Sequence, residues 1–165
     1  MTEKHPHETA DVRLKTAAQL LEDVRNSFQA LGIEARSLEE AYSKSRELPT
    51  NDATEQQVHK SFIAAFRKGY PEFKEKLGAT LRTDREEFGL YVAKEERSCF
   101  VDEIDFYYDC ELTRSGVTLV DTPGADSINA RHTNVAFEYI RNADAILFIT
   151  YYNHAFARAD REFLI

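Results

Sequence analysis

An α/β fold, with a helical region ahead of the sheet, is predicted by three observations. Across residues 9–92 the apolar side chains recur every three or four positions, the period of an amphipathic helix. Across residues 104–112 they recur at every second position, the period of a half-buried strand. Two short apolar runs, at 117–120 and 145–149, then flank a polar loop and a further helical pattern, which is the strand–loop–helix–strand order of a parallel sheet. The period changes at Cys99, so residues 1–98 are read as a helical region and 99–165 as a partial α/β region.

The elements follow in order. Leu14, Ala17, Ala18, Leu21, Val24, Phe28 and Leu31 form one stripe, so residues 9–31 are expected to be a helix stopped by Gly32. Ser37-Leu38-Glu39-Glu40 has the capping-box pattern and opens a second helix with Leu38, Ala41, Tyr42 and Ser45 on one face. Leu48-Pro49-Thr50-Asn51-Asp52 ends it and is the best internal linker. Thr54 and Gln57 open a third helix bearing Val58, Phe62, Ala65 and Phe66, with a stop expected near Gly69-Tyr70-Pro71. A shorter segment carries Phe73 and Leu77, and Thr83 with Glu86 starts a fourth helix through Phe88, Tyr91 and Val92.

Beyond Cys99, residues Ile104, Phe106, Tyr108, Cys110 and Leu112 alternate with the acidic Glu103, Asp105, Asp109 and Glu111, with Tyr107 the exception. The turn Thr113-Arg114-Ser115-Gly116 leads directly into Val117-Thr118-Leu119-Val120, so the two strands are expected to pair as an antiparallel hairpin. After a polar loop, Thr133 or Asn134 caps a helix with Val135, Ala136, Tyr139 and Ile140 that ends near Asn142. Residues 145–150 are expected to form a strand parallel to 117–120, and residues 158–165 begin another helix.

Composition narrows the function. The chain has 165 residues, 21 basic and 29 acidic, for a net charge of −8. That balance disfavours nucleic acid and simple electrostatic attachment to an anionic bilayer. Two cysteines, Cys99 and Cys110, are too few for a disulfide framework and lack metal-ligand spacing, which points to a reduced cytoplasmic setting. No apolar run approaches the roughly 20 residues of a membrane span, and the N-terminus has no signal-peptide core.

The chemistry-bearing motif is Asp121-Thr122-Pro123-Gly124, directly after the apolar run at 117–120. A strand that ends this way can deliver a carboxylate to a Mg²⁺ ion through water. It can also deliver a backbone N–H, unobstructed by a Cβ at Gly124, to a terminal phosphate. Thr122 and Pro123 set the path between them. The alternative is an ordinary strand-to-turn junction with Asp121 capping the turn; the helix and strand downstream favour the phosphate reading. No Gly-x-x-x-x-Gly-Lys-Ser/Thr loop occurs in the sequence. His132 is read as a surface histidine ahead of a water-positioning one, Arg131 and Arg158 as solvated charges ahead of a role at a dimer interface or in trans, and Tyr151 and Tyr152 as packing residues ahead of ligand contacts at a strand edge. No catalytic residue and no first-switch threonine is assigned.

The segment 117–165, with Asp121-Thr122-Pro123-Gly124-Ala125-Asp126-Ser127 and Ala143-Asp144-Ala145-Ile146-Leu147-Phe148-Ile149, resembles the second half of a dynamin-family GTPase domain. It is most similar to the bacterial dynamin-like proteins, which Asn129-Ala130-Arg131-His132-Thr133 and Tyr151-Tyr152-Asn153-His154 also resemble. The fold implied is part of a dynamin-type GTPase sheet preceded by the helical region.

The resemblance implies GTP and GDP as ligands, Mg²⁺ as cofactor, and Asp121, Thr122, Pro123 and Gly124 as the nucleotide-binding set, with Asp121 reaching Mg²⁺ through water. It implies self-association and, for the complete protein, GTP hydrolysis coupled to remodelling, fusion or protection of membranes. The membrane would be reached through segments outside this chain, making the complete protein cytoplasmic and peripheral. The phosphate loop and the Asn/Thr-Lys-x-Asp guanine motif are both absent, so the chain is read as a fragment with no turnover by itself. The rival readings are a non-enzymatic helical interaction module on a degenerate GTPase-like sheet, and a metal-dependent hydrolase of another α/β type.

Overall fold

A computed structural model describes residues 5–48, 56–122, 139–147 and 149. Helices and strands mix around a small open antiparallel sheet, in keeping with the α/β class expected. The chain divides into two units, Met1–Val117 and Thr118–Ile165.

The first unit opens with a strand where a helix was expected. Residues Thr9–Leu14 form β1, with Ala10, Val12 and Leu14 buried and Thr9, Asp11 and Arg13 turned outward. Leu14 belongs to both the two-residue and the helical period, which is why one stripe seemed to run from 9 to 31. The helix α1 starts only at Ala17 and runs to Ala30. Thr16 caps it: the Thr16 hydroxyl accepts the Gln19 N–H at 3.3 Å and the Gln19 side chain accepts the Thr16 N–H at 2.8 Å. Gly32, at φ 73°, takes the left-handed turn that ends it.

Helix α2, Leu38–Ser45, is capped by Ser37 as expected. Glu40 completes only half of the box, since its carboxylate accepts the Arg36 N–H at 2.8 Å. Helix α3 runs from Gln57 to Phe73, through the Gly69-Tyr70-Pro71 stop that the sequence suggested. Tertiary packing overrides the breakers there: Gly69 lies against the Glu96 carbonyl and the Phe100 ring, and Tyr70 and Phe73 are buried. A 3-10 turn, Lys74–Lys76, and Gly78 at φ 79° lead into β2, Thr80–Asp84, a strand not foreseen because Thr83 is its one deeply buried residue. Asp84 rather than Thr83 caps α4, Arg85–Ala93, accepting the Glu87 N–H at 2.9 Å. A short α5, Glu95–Ser98, precedes β3, Val101–Tyr107.

The strand order is β2-β1-β3, with both pairings antiparallel. Val12 faces Leu81 on one side and Ile104 on the other. This corrects the expected hairpin: the strand in the alternating stretch stops at Tyr107, residues Glu111–Arg114 form a helical turn, α6, and 117–120 carry no strand. The partner of β3 is β1, some ninety residues earlier in the chain. Pairing specificity here comes from the buried register of Val12 and Leu14, which a local reading of 104–120 could not reveal.

One face of the sheet is covered by helices and the other is solvated, as antiparallel sheets allow. Val12, Leu20, Val24, Phe28, Phe66, Phe73 and Phe100 are all fully buried in one core. Each such side chain contributes about 1.5–3 kcal/mol of burial. Phe73 and Phe100 stack with ring centroids 4.9 Å apart, joining α3 to the entrance of β3.

In the second unit, residues 139–142 are helical, as expected for a helix ending near Asn142. The described residues of the expected strand at 145–150 are irregular, and Ile146, Leu147 and Ile149 are 56%, 81% and 91% exposed. No described element of that unit covers them, so apolar character alone did not make them a strand.

Candidate functional site

The motif found in the sequence falls in the second unit. Asp121 is exposed and Thr122 half-buried, both in irregular backbone, after Val117, Leu119 and Val120 that are themselves exposed. Pro123 and Gly124 lie outside the described residues, as do Arg131, His132, Arg158 and the Tyr151–His154 stretch. Asp121 and Thr122 are therefore together as chain neighbours. Among the described residues no group of three or more His, Cys, Asp or Glu is gathered for a metal ion. That is compatible with Mg²⁺ bound mainly by phosphate oxygens and water, for which a single accessible carboxylate suffices.

The described polar clusters of the first unit are of another kind. Lys15 and Asp23 form an ion pair at 2.6 Å with side chains only 2% and 0% exposed. The Lys15 ammonium also donates to the Cys99 carbonyl at 2.9 Å and lies 6.0 Å from the centre of the Phe62 ring. A buried ammonium so engaged is a structural cation, not a free nucleophile. Sequence reading missed it, although Asp23 gave a signal by interrupting the stripe between Leu20, Val24 and Phe28.

On the solvated face of the sheet, the Arg82 guanidinium grips Asp11 through both carboxylate oxygens, and the Tyr107 hydroxyl donates to the same carboxylate at 3.1 Å. The Arg82 hydrogen bond, with help from Tyr107, holds the Asp11 carboxyl below the usual carboxylate range. Burial pushes the Cys99 thiol up to about 12, and burial plus the Glu39 carboxylate pushes the Tyr70 phenol to the same value. None of these groups is poised to exchange a proton near neutrality.

Comparison with known proteins covers both units. The Dynamin family profile matches residues 9–165. The chain is 36% identical over 160 residues to dynamin-like protein A of Bacillus subtilis (strain 168), covering 96% of this chain and 13% of that protein. It is 26% identical over 73 residues to dynamin-like protein 1 of Campylobacter jejuni, covering 44% of this chain and 10% of that protein. A protein of Caldicellulosiruptor sp. described as uncharacterized, in the xynA 3′ region, is 31% identical over 65 residues, covering 39% of this chain and 16% of that protein. The chain thus spans about an eighth of the Bacillus relative's length. No solved structure matches it. The family match runs from β1 through the Asp121 segment to the last residue, and on that match the chain belongs to the dynamin family.

Proposed function

We propose that the chain provides the Asp-x-x-Gly part of a dynamin-like GTPase. The observation that carries this reading is Asp121-Thr122-Pro123-Gly124 set within a family match over residues 9–165. In the working protein GTP would be hydrolysed by water attacking the terminal phosphorus, with GDP and phosphate released. Bound Mg²⁺ would neutralise charge building on the phosphate oxygens. Asp121 would orient a water of the ion's shell, the Gly124 N–H would face the terminal phosphate, and Thr122 and Pro123 would hold the loop between them. The loop cradling the other phosphates and the residues reading guanine have no counterpart in this sequence and would come from elsewhere in the protein. The boundary between a helical region, 1–98, and a GTPase region, 99–165, belongs to the same proposal.

Self-association and remodelling, fusion or protection of membranes complete the proposal, as the membership of the dynamin family suggests. Among the described residues no helix is long and apolar enough to cross a membrane. Peripheral attachment from the cytoplasm is the form proposed.

The test is steady-state GTP turnover by the full-length protein and its Asp121→Ala variant. Loss of one metal-positioning carboxylate is expected to lower kcat by about an order of magnitude or more, as for other metal-assisted phosphoryl transfers. Turnover equal to the parent protein would reduce Asp121 to a turn residue.

A further inference from the structure

Two histidines tie the segment ahead of β1 to the sheet, and both do so as hydrogen-bond acceptors. The backbone N–H of Asp109 donates to His7 Nδ1 at 2.9 Å. The Arg82 guanidinium approaches His5 Nδ1 at 3.3 Å, and a guanidinium can only donate. Each contact therefore requires an imidazole whose Nδ1 carries no proton, that is, a neutral ring with its hydrogen on Nε2. The rings also lie against two consecutive tyrosines: His5 on Tyr107, centroids 4.3 Å apart, and His7 on Tyr108, at 5.0 Å.

Directly after His7, Glu8 sits at φ 57°, in the left-handed region disfavoured for a residue with a Cβ. Such a conformation persists where its surroundings impose it. Here the Glu8 N–H donates to the Tyr107 carbonyl at 2.8 Å and the Glu8 carboxylate receives Arg85 at 2.6 Å.

We propose that residues 5–8 are a pH-operated latch on the end of the sheet, closed while His5 and His7 are neutral and opened when both take up protons. Protonation puts a hydrogen on each Nδ1 and sets it against the Asp109 N–H and the Arg82 guanidinium. Carboxylates do stand nearby: Asp11 is 3.7 Å from His5, and Glu8 is 3.9 Å from His7. Every one of them already serves an arginine. Asp11 holds Arg82 and the Tyr107 hydroxyl, Glu8 holds Arg85, and Asp109, beside His7, holds Arg114 at 2.8 and 3.0 Å. A charged imidazole can no longer accept from the Asp109 N–H or the Arg82 guanidinium, and that loss opens the latch. Uptake of a proton by an imidazole is therefore the event that would open the latch. Opening would uncover the rings of Tyr107 and Tyr108 and release the strained backbone at Glu8.

Solution NMR of the 165-residue chain tests this. At pH 8, long-range proton–nitrogen spectra should show Nδ1 as the unprotonated nitrogen of both rings. Backbone order parameters of residues 5–8 should fall from roughly 0.85 at pH 8 to below roughly 0.6 at pH 5. In the His5→Gln/His7→Gln variant, which does not titrate in this interval, those order parameters should be the same at both pH values. Rigid residues 5–8 at pH 5 with both rings charged would overturn the proposal. So would a pH-dependent loss that survives in the glutamine variant, because carboxylates would then be the trigger.

Discussion

Adding a single methyl group at Gly69 should destabilise the chain, although the same change in an open helix would stabilise it. Gly69 lies inside α3, and a Cβ there would sit 2.1 Å from the Glu96 carbonyl oxygen and 2.5 Å from Phe100 Cε2. Both obstacles are firm. The carbonyl is main chain of α5, and the Phe100 ring is fully buried between Phe66 and Phe73. Relief requires α5 to retreat by roughly 1 Å, opening the packing around Phe100. Overpacking of this kind costs about 1–3 kcal/mol, and so close an approach belongs near the upper end. Alanine returns about 1 kcal/mol through its helix preference. The net loss is about 2 kcal/mol, or a fall in Tm of ~4–8 °C for a chain of this size. Gly89 in α4 is the control, because nothing lies within 4 Å of its Cβ position. There Gly89→Ala should raise stability by up to about 1 kcal/mol. Thermal melts and urea titrations of the parent and both variants give the comparison. A Gly69→Ala melt equal to or above the parent's would show that α3 and α5 are not packed this closely, and the reasoning would fail.

Two further outcomes are expected. Lys15→Met leaves the Asp23 carboxylate buried without its ammonium and should cost about 3–5 kcal/mol in urea unfolding, while Lys15→Met/Asp23→Leu should recover most of that loss. A double variant as unstable as the single one would show that the pair does more than satisfy itself. Alkylation of the native chain at pH 8, followed by peptide mass spectrometry, should modify Cys110 well before Cys99. The Cys110 thiol is held below its ordinary range by hydrogen bonds from Thr113, whereas burial pushes Cys99 up to about 12; equal labelling would contradict both placements.

The sequence made the helices legible wherever a cap and a stripe coincided. Thr83-x-x-Glu86 located the start of α4 to within two residues, and Ser37 was identified as the α2 cap. It concealed the strands whose pairing is distant. In β1 the alternation of Ala10, Val12 and Leu14 is clean, but Leu14 also begins the stripe of α1, and six residues of one period were absorbed into the longer one. In β2 the outward positions are polar and Thr83 is the buried one, so no apolar period exists to detect; the strand is there because β1 offers it a partner. The end of β3 was overrun for a related reason. Tyr108, Cys110 and Leu112 continue the alternation after β1 has no residues left to pair with them.

The candidate site shows the same division. Asp121-Thr122-Pro123-Gly124 is contiguous, and a contiguous motif can be read without coordinates. The Lys15–Cys99 bond and the His7–Asp109 bond join residues 84 and 102 positions apart, so only the folded chain brings them together.

The residues that sequence reading missed converge on β1 and its two ends. Beyond its upper end, the Lys15 N–H donates to the Phe100 carbonyl at 2.8 Å, and the Gly78 N–H donates to the Lys15 carbonyl at 2.9 Å. Ahead of its lower end, His5, His7 and Glu8 hold Arg82, Asp109 and Tyr107. A central strand drawn from the start of the chain cannot be completed until residues 80–107 are available, so closure of this sheet depends on long-range contacts throughout. The two ends then differ in what secures them. At Lys15 the fastening is a buried ion pair with Asp23. At His5 and His7 it lies at the surface and depends on uncharged rings. A fall in pH should therefore loosen the sheet from the end at Tyr107 while the end at Phe100 stays fixed.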